Sequence, residues 1–176
     1  MYITQALKRN VQLFPNKTST AYLDRSFTWQ ESLERISKIA YTIKKLEIFE
    51  GDRVAILAHN SDRYFEFLYS VSWAGAVFVP INTRLAPPEI EFWINDSESK
   101  LLFVDKNFVE IVINLKKENK ISSVKNIVYL SDDACPDNMI NYEDLITSAT
   151  TEDALRGYDD LACLLYTSDA ADDTSR

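Results

Sequence analysis

Glycine is nearly missing from this chain, with three among 176 residues. A dinucleotide-binding turn of the form Gly-x-Gly-x-x-Gly needs them for the tight bend and for close approach of backbone to pyrophosphate. The stretch after the first compact apolar run, Leu57-Ala-His-Asn-Ser61, holds none, which counts against that class of nucleotide site. Cysteine is equally scarce. Cys135 and Cys163 lie far apart without metal-ligand spacing, so neither a disulfide framework nor a zinc site is expected, and a reducing cytosol is the default. Basic charge is short as well: 19 Lys and Arg face 27 Asp and Glu, for a net charge of -8. That balance argues against a nucleic-acid surface, which needs clustered cations to neutralise phosphates. The densest basic group, Lys116-Lys117 with Lys120, alternates with Glu118 and reads as the solvated end of a helix. Long apolar runs are absent too. The longest uncharged stretch, Phe67 to Asn82, contains Gly75 and Pro80 and falls short of the ~20 apolar residues a bilayer span requires. The first ten residues carry Lys8 and Arg9 where a signal peptide needs an apolar core, so no export signal is expected.

What is present is enough apolar content, 46%, for a real core in a chain the length of one domain or of a piece of a larger one. Ile3, Leu7, Val11 and Phe14 recur at helical spacing until Pro15-Asn16 stops them. Residues 21 to 29 alternate around Asp24-Arg25-Ser26, a hairpin pattern. Thr28 with Glu31 then forms a capping box, opening a helix whose buried stripe is Leu33, Ile36, Ile39, Ala40, Ile43 and Leu46. Arg53 to Ala58 is a nearly all-apolar run, as in a strand covered on both faces. A helix capped by Asn60 or Ser61 follows and ends at Gly75.

Further along, Ala76 to Val79 predicts a strand, Glu89 to Asp96 a helix, Lys100 to Asp105 a strand, Asn107 to Glu118 a helix and Val124 to Leu130 a strand. Ser131 to Asn141 reads as a polar loop, Tyr142 to Ala149 as a short helix and Thr150 to Asp160 as an acidic connector. The alternation predicts an α/β fold, a mostly parallel sheet with flanking helices. Such sheets host many unrelated activities, so function has to be argued from a site.

Three stretches carry more. Gly-Asp-Arg-Val-Ala-Ile-Leu-Ala-His-Asn-Ser (51 to 61), Trp-Ala-Gly-Ala-Val-Phe-Val-Pro-Ile-Asn-Thr-Arg-Leu (73 to 85) and Glu-Ile-Glu-Phe-Trp-Ile-Asn-Asp-Ser-Glu-Ser-Lys-Leu-Leu-Phe-Val-Asp (89 to 105) stand in one order. Together they resemble the N-terminal region of the AMP-forming acyl-CoA synthetases of the adenylate-forming superfamily, over about residues 1 to 168. The resemblance implies a ligase for a carboxylic acid, fatty or aryl with fatty favoured, that uses ATP, Mg²⁺ and coenzyme A in the intact parent. It places this chain in the N-terminal portion of the large domain. It also implies a Ser/Thr- and Gly-rich phosphate loop with a lysine, directly after an apolar strand preceded by an acidic pair. Backbone amides and a cation there would cradle the triphosphate.

That text begins here as Asp159-Asp160-Leu161-Ala-Cys163-Leu-Leu-Tyr-Thr167-Ser168 and then breaks, because Asp169 stands where the first loop glycine belongs. No glycine or lysine follows. A carboxylate at that position repels a triphosphate, and loss of glycine forbids close backbone approach. Cys163 to Asp172 also matches the translated end of a transposon-type library adapter. Residues 163–176 are therefore expected to be a non-native tail, and residues 1–162 an incomplete AMP-binding domain. Thr167 and Ser168, the start of the interrupted loop, and Arg84, beyond a strand end and a proline, are the candidate cofactor-binding residues. No residue is assigned as catalytic and none as a metal ligand. Acid, ATP and coenzyme A are the partners implied for the parent, with no nucleic acid, no membrane span and no cofactor for the chain itself.

The plainer alternatives are that His59 is a structural hydrogen-bonding residue, that Arg84 pairs with a nearby acid, and that Trp73, Phe78, Phe92 and Trp93 are core. A short non-catalytic binding module of the same fold is the competing function.

Overall fold

The computed structural model describes residues 2–146, 149–157 and 160–165. Helix α1 (Gln5–Leu13) leads into the antiparallel hairpin β1 (Thr18–Tyr22) and β2 (Arg25–Thr28). The hairpin turns at Leu23-Asp24, one step before the expected Asp24-Arg25-Ser26. Arg25 is drawn into β2 by Asp62, whose carboxylate accepts from Nε at 2.7 Å and from Nη2 at 2.9 Å.

Thr28 closes β2 and caps α2 (Trp29–Lys45). Its Oγ1 accepts the Glu31 N–H at 3.2 Å while Glu31 Oε2 accepts the Thr28 N–H at 2.8 Å, so two helix-end donors are satisfied reciprocally. Along α2, Ile36, Ile39, Ala40 and Ile43 are fully buried, the stripe their spacing foretells.

The main sheet is parallel, built by β3 (Arg53–Leu57), β4 (Val77–Pro80), β5 (Leu101–Val104), β6 (Asn126–Tyr129) and β7 (Ile140–Asn141), in the order β4-β3-β5-β6-β7. Val54 pairs with Phe78 on one side and Leu101 on the other. Helices α3 (Asp62–Ala74), α4 (Pro87–Asp96) and α5 (Val109–Lys117) make the crossovers. The chain steps outward from β3 to β4, then reverses to reach β5. Crossovers of one hand put helices on opposite faces after such a reversal. Accordingly, α3 packs with α1 and α2 through Phe67, Val71, Ile36 and Ile39 on one face, and α4 and α5 pack through Ile90, Ile94, Val112 and Leu115 on the other.

Gly75 ends α3 with φ 89°, the left-handed conformation a glycine adopts without strain. β7 is a strand inside the expected polar loop, paired through Val128 with Ile140 and Tyr129 with Asn141. The expected helix from Tyr142 is a single 3₁₀ turn, Tyr142–Leu145, anchored by burial of Tyr142 and Leu145. Trp73 is buried, and Phe78 and Trp93 pack against the core. Phe92 is not core. Burial of Ile90 and Ile94 on α4 turns it about half a revolution away, and it stays 59% exposed.

Candidate functional site

Ligands of open α/β sheets bind beyond the carboxyl ends of the strands, at the point where strand order reverses. Here that point lies between β3 and β5, where the loops after them carry His59 and Asp105. The Asp105 carboxylate accepts the His59 N–H at 2.7 Å and the Asn107 N–H at 2.8 Å, tying the two loops together. His59 Nδ1 stands 3.3 Å from Asp105 Oδ2, and its ring lies tilted against Phe108. The imidazole is thus held by a carboxylate and a ring, the structural role its position suggested.

A second opening lies at the same end of the sheet, one strand over. Ala162 to Leu164 run parallel to β4: the Phe78 N–H donates to Ala162 O at 3.0 Å and the Leu164 N–H to Phe78 O at 3.1 Å. Leu165 then emerges over a cleft of about 350 Å³ lined also by Asn60, Tyr64, Asn82, Thr83 and Trp93. Burial pushes the Tyr64 phenol up, with Cys163 nearby adding to the effect, and burial pushes the Cys163 thiol up, so both are neutral at pH 7. Thr167 and Ser168 lie outside the described residues.

Arg84 sits on the loop leaving β4 two residues after Asn82, whose Oδ1 accepts the Arg84 N–H at 3.0 Å in an Asx turn. Its side chain is exposed, and among the described residues it makes no ion pair. The acid weighed as its partner from sequence is not found among the described residues.

Behind this end of the sheet lies a cluster the motifs did not reveal. Arg35 on α2 grips Glu66 on α3 at 2.6 Å and reaches Glu143 of the 3₁₀ turn at 3.1 Å. Tyr142 Oη donates to Glu66 Oε2 at 2.7 Å. Arg63 meets Asp132 at 2.7 Å and Glu143 at 2.9 Å, and Arg25 bridges Asp62 and Asp132. Burial pushes the Glu66 carboxyl up against the opposing pull of Arg35 and Tyr142, and lifts the Tyr142 phenol well above its usual range. At Glu143 burial pushes the other way from the outcome, because Arg35 and Arg63 together hold it below the ordinary carboxylate value. The signal was in the sequence: Arg63 and Glu66 share the helical face of Phe67 and Ser70, where a charged side chain needs a buried partner. Among the described residues no group of three or more His, Cys, Asp or Glu is arranged to hold a metal ion.

These features define an α/β domain with a parallel sheet, helices on both faces and an open cleft at its carboxyl end. The chain belongs to the AMP-binding enzyme family, whose model matches residues 7–168. It is 39% identical to the peroxisomal butyrate–CoA ligase AAE11 of Arabidopsis thaliana over 106 residues, 60% of this chain and 18% of that protein. It is 29% identical to a feruloyl-CoA synthase of Amycolatopsis over 160 residues, 91% of this chain and 29% of that protein. The chain thus spans less than a third of the length of either relative. The crystal structure of the anthranilate CoA ligase AuaEII with anthranoyl-AMP superposes with a TM-score of 0.89 at 24% identity, over 96% of this chain and 32% of that one. At that identity the likeness speaks for the fold.

Proposed function

We propose that this chain is the N-terminal part of an acid–thiol ligase. A carboxylate oxygen of the acid attacks the α-phosphorus of ATP, the bond to pyrophosphate breaks, and the sulfur of coenzyme A then displaces AMP from the acyl carbon. The observation that supports this most is the pairing of Ala162 to Leu164 with Phe78, which leads Leu165 out over the cleft beside β4, where a phosphate loop begun by Thr167 and Ser168 would face a nucleotide. Arg84, exposed on the next loop and free of any ion pair among the described residues, has the charge to meet a phosphate of ATP or coenzyme A. Among the described residues no group of three or more His, Cys, Asp or Glu gathers to hold Mg²⁺, and no step here is drawn through the metal.

The acid is proposed to be fatty. Relatives named for butyrate, trans-cinnamate, benzoate and ferulate support a carboxylic acid more broadly. The chain by itself is proposed to be inactive, with a foreign tail within residues 163–176. The family match to residue 168 and the sheet pairing of Cys163 support a junction late in that range, at Asp169. A cytoplasmic location belongs to the same proposal.

Sequencing the native locus across the codons for residues 158 to 176, then assaying the encoded parent for carboxylate-dependent pyrophosphate release, tests the reading. A frame that runs from Ser168 into a glycine-rich loop with a lysine, and a parent that releases pyrophosphate with fatty acids, is the expected result. A genomic acidic tail followed by a stop codon sinks the ligase reading of this chain and leaves the non-catalytic binding module in its place.

A further inference from the structure

Between the 3₁₀ turn and the strand-like Ala162–Leu164 the chain must return to the opposite edge of the sheet. It does so along the amino end, as a strap whose described residues form no helix or strand beyond a single antiparallel bridge from Gly157 to Tyr2. The Trp73 indole N–H donates to Thr151 O at 2.8 Å, the Ala154 N–H to Trp73 O at 3.0 Å, and the Ile3 N–H to Arg156 O at 3.4 Å. Arg156 pairs with Glu50. A Cβ on Gly75 would come within 3.1 Å of the Ala154 Cβ, so the strap lies tight on the end of α3.

One side chain concentrates the grip. Asp153 is a carboxylate whose side chain is only 2% exposed. Its Oδ2 accepts from the Thr4 hydroxyl at 2.6 Å and from the Lys8 ammonium at 2.7 Å, while Oδ1 accepts the Leu155 N–H at 2.9 Å. Lys8 Nζ also lies 5.0 Å from the centre of the Trp73 ring. A charge so enclosed is tolerated only when paired and hydrogen-bonded, and Asp153 is both. Its two side-chain partners lie at the start of the chain, 149 positions away in the case of Thr4. Neither core cluster includes a residue of 149–157.

We propose that Asp153, clasped by Thr4 and Lys8, is a positioning residue that latches the strap across the amino end of the sheet. It thereby holds Ala162–Leu164 in register on β4 and sets where the chain leaves the sheet at Leu165. The consequence for phosphate binding rests on the ligase reading above; the latch does not.

Amide hydrogen exchange on the 176-residue chain tests it, comparing the wild type with Asp153→Asn and with the partner-side double variant Thr4→Val, Lys8→Met. The Asn side chain keeps the shape of Asp and an oxygen for Leu155, so the cores stay intact. The expected result is exchange of the Phe78 and Leu164 amides faster by about ten- to a hundredfold in both variants, with the amides of β5 unchanged. No acceleration at Phe78 and Leu164 overturns the latch. Equal acceleration in β5 also overturns it, since Asp153 would then support overall stability and not the register of one edge. In the parent, Asp153→Asn is expected to raise KM for ATP several-fold and leave KM for the acid unchanged; no change in either overturns the positioning of the phosphate loop. A parent that releases no pyrophosphate overturns the ligase reading instead, and the exchange result stands.

Discussion

Thr28 shows how much one side chain settles. It is the last residue of β2 and the cap of α2, and the capping box through Glu31 fixes the angle at which the hairpin meets the helix. Replacing it with alanine removes the acceptor for Glu31 N–H and leaves a helix-end donor to water. Thr28→Ala is expected to cost about 1 kcal/mol in urea unfolding, and a loss below about 0.3 kcal/mol would show the box to be ornamental. This residue was fully legible in the sequence, because a capping box is a local pattern whose partners are three positions apart. Arg84 was legible only in part. Its place beyond β4 followed from the strand and proline before it, whereas the lack of an ion partner among the described residues depends on where distant acids fall once the sheet is assembled.

The elements tell the same story at longer range. Helices α2, α3 and α4 and strands β3 to β6 were written in periodicity and caps, each within a few residues of its observed bounds. β7 was not, since a two-residue edge strand in a polar loop has too few side chains to display a period and exists only because β6 offers an open edge. The ionic cluster joining α2, α3 and the 3₁₀ turn was likewise hidden, its partners being 31 to 108 positions apart. Its energetics are asymmetric. Glu66 is fully buried, and removing its carboxyl leaves the Tyr142 hydroxyl without its acceptor and Arg35 with Glu143 alone. Glu66→Leu is expected to cost about 3 kcal/mol by urea unfolding, and Tyr142→Phe about 1 kcal/mol, because the latter removes a single neutral donor. The double variant should cost clearly less than the sum, since both changes break one hydrogen bond. Strict additivity would mean that the two groups do not act through each other.

At the scale of the molecule, the site inherits its position from topology. The reversal of strand order after β4 and the return of the chain to pair with Phe78 put the cleft at the carboxyl end of the sheet, and no motif in the described residues encodes it alone. The charge balance of the whole follows different rules. With a net charge of -8 the folded chain repels itself at pH 7, and protonation toward the pI near 4.7 relieves that strain. Glu66 acts in the same direction: its carboxyl is held above the ordinary range by burial, so taking up its proton favours the native state. Asp52, Asp132 and Glu143 act oppositely. Burial alone would raise each, yet Lys100 and the Phe49 N–H at Asp52, and Arg25, Arg35 and Arg63 at the other two, bring all three below their ordinary values. A carboxyl depressed in the native state adds stability above its unfolded value, 3.8 for Asp and 4.5 for Glu, and that stability is lost as pH falls through the native value. The urea midpoint is therefore expected to hold or rise slightly from pH 7 to about 5 and then to fall below about pH 4. Asp52→Asn should be less stable than the wild type at pH 7 and converge on it in acid, as the wild-type carboxyl protonates and the Lys100 ion pair is lost in both. A constant gap between the two chains from pH 7 to pH 2 would show that Asp52 stabilises the fold through its shape and hydrogen bonds and not through its charge.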